Sequence, residues 1–220
     1  MTIRHHPREE TLLAYAAGTL VPAISALVAC HLALCPRCRE EVRVMERIGG
    51  ALLARLGDAP PGHDAATGRI LERALSAAGE LRRPSAARDG APASALPRPL
   101  ARHLGMELDD IPWKTLAPGV EQFKIKLARR GGDLRLLRVQ PGRKLLRHGH
   151  YGSELTLVIE GAYADETGDY QAGEVADLDE DVEHRPRVIG EEPCLCIIAG
   201  ETHPRYNSLK VRLLRPFLGI

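Results

Sequence analysis

The 220-residue chain has almost no excess of charge: thirty Lys and Arg against twenty-nine Asp and Glu leave a formal net charge of +1. Without a surplus of positive charge there is no long-range field to draw in nucleic acid or an anionic membrane, so a protein partner or a small ligand is favoured. A long apolar run is missing too. The first twenty residues carry His5, His6, Arg8, Glu9 and Glu10 where a signal peptide needs an uninterrupted apolar stretch. The most apolar segment, 20–35, is short for a membrane span and contains Ser25 and His31. A cytoplasmic location is expected. Cysteine is scarce, with five residues in spacings unlike a secreted disulfide scaffold, which fits a reducing compartment with thiols free or metal-bound. Internal repeats are absent, and low complexity is confined to 82–100.

What is present falls into two patterns of different period. Leu12, Leu13 and Ala16 form a helical stripe that stops at Gly18, and Pro22 suits the first turn of a second helix running to about Leu34. After Pro36, the spacing of Met45, Ile48, Leu52 and Leu56 predicts a third helix ended by the Gly57 to Gly62 segment. Thr67 can cap a fourth, in which Ile70, Leu71, Ala74, Leu75 and Ala78 share a face. "RRPSAARDGAPASALPRPL" (82–100) is too rich in Pro, Ala, Ser and Arg to bury a core and reads as a linker. Beyond it the period shortens: "FKIKLAR", "DLRLLRVQPG", "ELTLVIEGAY", "PCLCIIAGE" and "VRLLRPF" are strand-like runs bounded by turns. The expected fold is a multidomain α plus β chain: a small four-helix domain (1–82), a Pro/Ala-rich linker (83–100) and an all-β domain (101–220), either sandwich or barrel.

"CHLALCPRC" (30–38) concentrates three of the five cysteines. His31 and Cys35 are one helical turn apart on a shared face, and Cys38 follows across the break at Pro36. Three ligands of this type suit Zn2+, which takes four tetrahedral N or S donors, and His6, with His5 as its neighbour and competitor, is the natural fourth. A redox dithiol would want a thioredoxin-like βαβ pattern, which is missing around it. Cys30 points about 100° away from His31 on an ideal helix, which suits packing. An early histidine followed by H-x3-C-x2-C in a helical domain resembles the zinc-containing anti-sigma factors. The resemblance implies that the helices clamp an extracytoplasmic-function sigma factor and that zinc on His6, His31, Cys35 and Cys38 is structural.

The second concentration, "GRKLLRHGHYGSELTLVIEG" (142–161), has the spacing G-x5-H-x-H-x3-E-x6-G. His148 and His150 would share one side of a strand, and Glu154, beyond a turn at Gly152, can return to the same point, a set suited to a borderline divalent metal. This string is similar to the first cupin motif, which implies a cupin barrel. The second motif departs from the usual pattern: Gln171 stands where proline is common, and His184 comes late. His184 in "VEHRP" is the expected fourth ligand and His203 in "ETHPRY" the competitor. Cys194 and Cys196 share a strand face, either as packing or as a redox-sensitive pair, although their spacing is poor for bonding each other.

A zinc anti-sigma domain, a linker and a cupin with its last histidine in "EHRP" together resemble the ChrR-type zinc anti-sigma factors over nearly the whole chain. The resemblance implies that the first domain inhibits a sigma factor in a 1:1 heterodimer. It implies also that the cupin, carrying Zn2+ or another divalent transition metal, prompts release under oxidative stress such as singlet oxygen. The rival class is a metal-dependent cupin dioxygenase or related enzyme fused to a protein-binding zinc domain. Against it, the sequence offers no second set of acid, base or oxyanion groups. Direct nucleic-acid binding is disfavoured because "CPRCREEVRVMER" mixes charges and has no stacking aromatic.

Overall fold

Two prolines punctuate the helical half. In the computed structural model, which describes residues 2–55, 96–127 and 131–205, α1 spans Glu9–Ala16, α2 Pro22–Leu34 and α3 Pro36–Arg55. Pro22 opens α2, where its missing N–H costs nothing, and Cys35 is extended (φ −110°, ψ 103°), as a residue before proline must be. The buried positions of α2, among them Ala23, Ile24, Leu27, Val28 and His31, recur at helical spacing. In α3 only Cys38 and Val42 are buried, while Ile48, Leu52 and Leu53 are 56–69% exposed. The expected fourth helix beginning at Thr67, the linker as far as residue 95 and the strand at "VRLLRPF" lie outside the described residues. A further helix, α4 (Arg98–Leu104), begins within the stretch read as linker and packs on α2, with Leu96 and Leu100 buried.

The β half has nine strands among the described residues, all paired antiparallel: β1 Lys114–Ala117, β2 Val120–Lys124, β3 Asp133–Val139, β4 Glu154–Glu160, β5 Ala162–Asp165, β6 Gly168–Gln171, β7 Val175–Leu178, β8 Arg187–Val188 and β9 Cys194–Gly200. They form a six-stranded sheet, β1-β2-β3-β9-β4-β7, and a three-stranded sheet, β6-β5-β8. The all-β expectation holds, but as a cupin-like sandwich of two sheets and not as one closed barrel. "FKIKLAR" is shorter as a strand than its alternation predicts, since β2 ends at Lys124.

The chain divides into two compact units, residues 1–46 with 94–220, and residues 47–93. Within the first unit the strands β3, β4 and β9 of the six-stranded sheet are buried on both faces. Leu137, Val139, Val158, Cys194 and Cys196 point into the sandwich with Tyr163 and Val188 of the smaller sheet. Leu134, Leu136, Leu155, Leu157 and Ile197, offset by one residue, form the opposite face and join the core of α2. This is why β3, β4 and β9 read as continuous apolar runs: α2 lies across these three strands. Burial of a Leu or Ile side chain contributes about 1.5–3 kcal/mol, so this second apolar face is a firm attachment for the helices. No helix among the described residues is long and apolar enough to cross a membrane.

Candidate metal centres

The first centre is assembled from three chain segments. His31 lies in the last turn of α2, Cys35 is its C-cap, and Cys38 sits in the first turn of α3, so the break at Pro36 turns both sulfurs toward one point. His6 enters from the extended segment before α1. Its Nδ1 is 3.5 Å from Cys35 Sγ and 3.2 Å from Cys38 Sγ, and His31 Nε2 is 3.3 Å from Cys38 Sγ. All four donor atoms lie within 4.8 Å of one another. Tetrahedral zinc with N and S ligands separates its donors by about 3.4–3.8 Å, so the donor set and its spacing fit a zinc-sized ion. His31 Nδ1 is 3.0 Å from the Gly173 carbonyl, which can only accept, so Nδ1 carries the proton and Nε2 is left for an ion.

The electrostatics agree with a ligand role. Burial, reinforced by neighbouring His6, lowers the pKa of His31 to about 4, and burial followed by Arg37 lowers that of His6, so both imidazoles are neutral at neutral pH. Burial and the adjacent Cys35 push the Cys38 thiol up to about 12, a cost that a divalent cation reverses by taking the thiolate as ligand. His5 and His6, alternatives in the sequence, are separated by the fold: His5 Nδ1 is 3.1 Å from Glu174 Oε2 and its ring meets Tyr170, away from the sulfurs. Cys30 packs in the core, where burial pushes its thiol up to about 12.

The second centre brings His148, His150, Glu154 and His184 together, their donor atoms again within 4.8 Å. His148 and His150 occupy an irregular segment held by isolated bridges, His148 to His184 and Gly149 to Arg205, where the sequence suggests a strand. The turn at Gly152 adopts the left-handed conformation (φ +85°) that favours glycine, and it delivers Glu154 as the first residue of β4. Glu154 Oε1 is 3.2 Å from His150 Nε2 and 3.6 Å from His148 Nε2, and the Nε2 atoms of His148 and His184 are 3.2 Å apart. Although Glu154 is near, His150 Nε2 is buried and makes no hydrogen bond of good geometry, as expected of a donor aimed at an ion.

Each imidazole of this centre is anchored through its other nitrogen. His148 Nδ1 is 2.9 Å from the Leu146 carbonyl, and His150 Nδ1 is at a looser 3.4 Å from the Asp179 carbonyl. His184 Nδ1 is 2.7 Å from Asp165 Oδ2, a carboxylate that nothing in "GAYADETG" marks out. Burial alone would raise the pKa of Glu154, but His148 and His150 hold it below the usual carboxylate range. Arg135, buried behind it, lies 3.8 Å from Glu154 and 3.2 Å from Asp133. His203, the competitor for His184, faces Asp133 at 3.4 Å and is outside the cluster.

Beside this centre is an apolar cavity whose wall includes Leu137, Val139, Tyr163, Val188, Cys194 and Cys196. Both thiols are buried and free. The neighbouring Cys194, together with burial, pushes the Cys196 thiol well above its ordinary value, which keeps it protonated and a slow nucleophile.

The sequence of residues 101–203 matches the model of the ChrR cupin-like domain. Along its full length the chain is 38% identical to the anti-sigma-E factor ChrR of Cereibacter sphaeroides, which is likewise covered completely. The chain belongs to the ChrR family. Its fold is similar to that of ChrR in the crystal structure of Rhodobacter sphaeroides SigE in complex with the anti-sigma ChrR (TM-score 0.72, 35% identity), over 90% of this chain and all of that one. An RmlC-like cupin from Ralstonia eutropha overlaps 43% of this chain and 66% of its own, at 23% identity and a TM-score of 0.38. The family model covers the cupin-like residues, and in this structure α2 shares a core with their six-stranded sheet.

Proposed function

We propose that this member of the ChrR family is a cytoplasmic anti-sigma factor that binds an extracytoplasmic-function sigma factor as a 1:1 heterodimer. Its inhibitory domain is residues 1–82, stapled by Zn2+ on His6, His31, Cys35 and Cys38. A linker, 83–100, joins it to a cupin sensor, 101–220, with Zn2+ or another divalent transition metal on His148, His150, Glu154 and His184. The observation that carries the reading is the similarity, over 90% of this chain, to a ChrR chain that was crystallised with SigE.

In this reading the first ion is structural: four protein ligands leave zinc no open position. The second centre has three imidazoles and one carboxylate, which leave a six-coordinate metal positions at which an oxidant can react. Release of the sigma factor under oxidative stress such as singlet oxygen requires that the signal change the free energies of the bound and free states unequally. The packing of α2 on β3, β4 and β9 supports the reading that a change in the cupin reaches the helices. Cys194 and Cys196, both buried, suit packing better than fast thiol chemistry.

Co-expression of the full chain with extracytoplasmic-function sigma factors, followed by size-exclusion chromatography with mass measurement, tests the reading. A 1:1 complex that blocks transcription by that sigma factor is expected; failure to bind any of them sinks it. The cupin half is regulatory and not an enzyme, so oxygen uptake by the iron-loaded protein with candidate diketones or thiols should stay at background.

A further inference from the structure

We propose that the β6–β7 segment of the cupin half holds the ligands of the first metal centre in place, with Gly173, Glu174 and Asp177 as positioning residues for His31 and His6. The inference rests on the reading of His6, His31, Cys35 and Cys38 as a metal centre.

Two buried carboxylates make the case. Glu174 is 2% exposed, and its oxygens accept from Arg4 N (2.9 Å), His5 Nδ1 (3.1 Å) and Gln171 N (3.0 Å). Asp177, also 2% exposed, accepts from Arg8 N (2.9 Å) and Thr11 Oγ1 (2.7 Å), and so caps α1 from another part of the chain. In addition Val175 N donates to the His5 carbonyl at 3.1 Å. His6 therefore sits between anchored neighbours at 5 and 8. Its ring makes no bond to β7, but its backbone has little freedom to carry the ring away from the sulfurs.

The second ligand is held directly, because the Gly173 carbonyl takes the His31 Nδ1 proton. Gly173 has φ +86°, and a Cβ there would lie 3.0 Å from Ile3 Cδ1, so the turn fits closely against the same N-terminal segment. Lifting residues 3–11 away would uncover two carboxylates whose partners are largely in that segment, which is costly for buried charge. The strand also reaches the second centre: the Asp179 carbonyl, one residue past β7, faces His150 Nδ1. A displacement of β7 caused at the cupin centre would thus be felt by His31 and His6.

Groups that orient metal-bound histidines typically change metal affinity about 10- to 100-fold when removed. The test uses the full chain loaded with Co2+ and chased with EDTA. Among the described residues only the first centre contains thiolate ligands, so the thiolate-to-cobalt charge-transfer band reports that centre alone. Glu174→Gln and Asp177→Asn, which act on the segment around His6 and not on a ligand directly, should each make the band decay faster than wild type, by up to about tenfold. Thr11→Val, which removes only the hydroxyl given to Asp177, should accelerate it by a smaller factor and stands in if the carboxylate variants fail to fold. Val120→Ala, in the sandwich core away from β7, should lower the melting temperature without changing the decay. Wild-type decay in the folded variants, or equal acceleration in Val120→Ala, overturns the proposal. A wild-type protein with no thiolate-to-cobalt band overturns instead the metal reading on which it rests.

Discussion

The carboxylate of Asp165 lies 2.7 Å from Nδ1 of His184, and it is the only carboxylate set against the far nitrogen of an imidazole in either centre among the described residues. Burial alone would raise the Asp165 pKa, but His184 and Thr167 hold it below the ordinary carboxylate value, so it stays an anion that orients and enriches the ring. Asp165→Asn should weaken metal binding at the cupin centre by about 10- to 100-fold, equivalent to about 1–3 kcal/mol. Competition with a chromogenic chelator reads this, and the thiolate-containing centre, served by a different carbonyl, should keep its affinity.

Cys35→Ser and Cys38→Ser each remove one of four donors from a closed centre. Metal content should fall by about one ion per chain, and sigma-factor binding should be lost with it. Elemental analysis beside a pull-down decides the matter. A metal-free variant that still binds would deny the ion a structural role.

His148→Ala removes no group of the first centre or of the core around α2, since His148 lies on the other side of the six-stranded sheet from that core. Sigma-factor affinity should therefore stay within about twofold of wild type, an effect of about 0.4 kcal/mol. The release on exposure to oxidant that the proposed function expects should be blunted. Loss of binding in the unstressed protein would make the cupin part of the clamp.

Stability should depend on acid through Glu174. Burial pushes its pKa up, but the N–H groups of Gln171 and Arg4 and the imidazole of His5 outweigh this and hold it below 4.5. In the unfolded chain the group binds its proton first as pH falls, so its contribution is full above about 4.5 and is lost below. Urea melts of wild type and Glu174→Gln should differ by a constant amount at neutral pH and converge in acid. A difference that grows as pH falls has the wrong sign for this account.

Much of each centre is legible without the fold, because local spacing carries it. H-x3-C on a helix puts His31 and Cys35 one turn apart whatever the helix packs against, and H-x-H-x3-E with a glycine turn returns Glu154 to His148 and His150. The strand-like runs are equally legible, but their meaning is not. Continuous burial along β3, β4 and β9 could serve any two-faced sheet, and only the packing of α2 explains it here.

What the sequence alone determined is which residue types can meet within a turn or two: His31 with Cys35 and Cys38, and His148 with His150 and Glu154. The tertiary structure decided what comes from afar. It set His6 beside the two sulfurs while giving His5 to Glu174, bridged His184 to His148 while leaving His203 outside the cluster, and placed Asp165 against His184 and the Gly173 carbonyl against His31. Residue spacing along a helix or strand is fixed by backbone geometry, which every stretch of chain carries with it. Contacts across 142 or 169 residues depend on which buried surfaces fit together, and no local pattern encodes that.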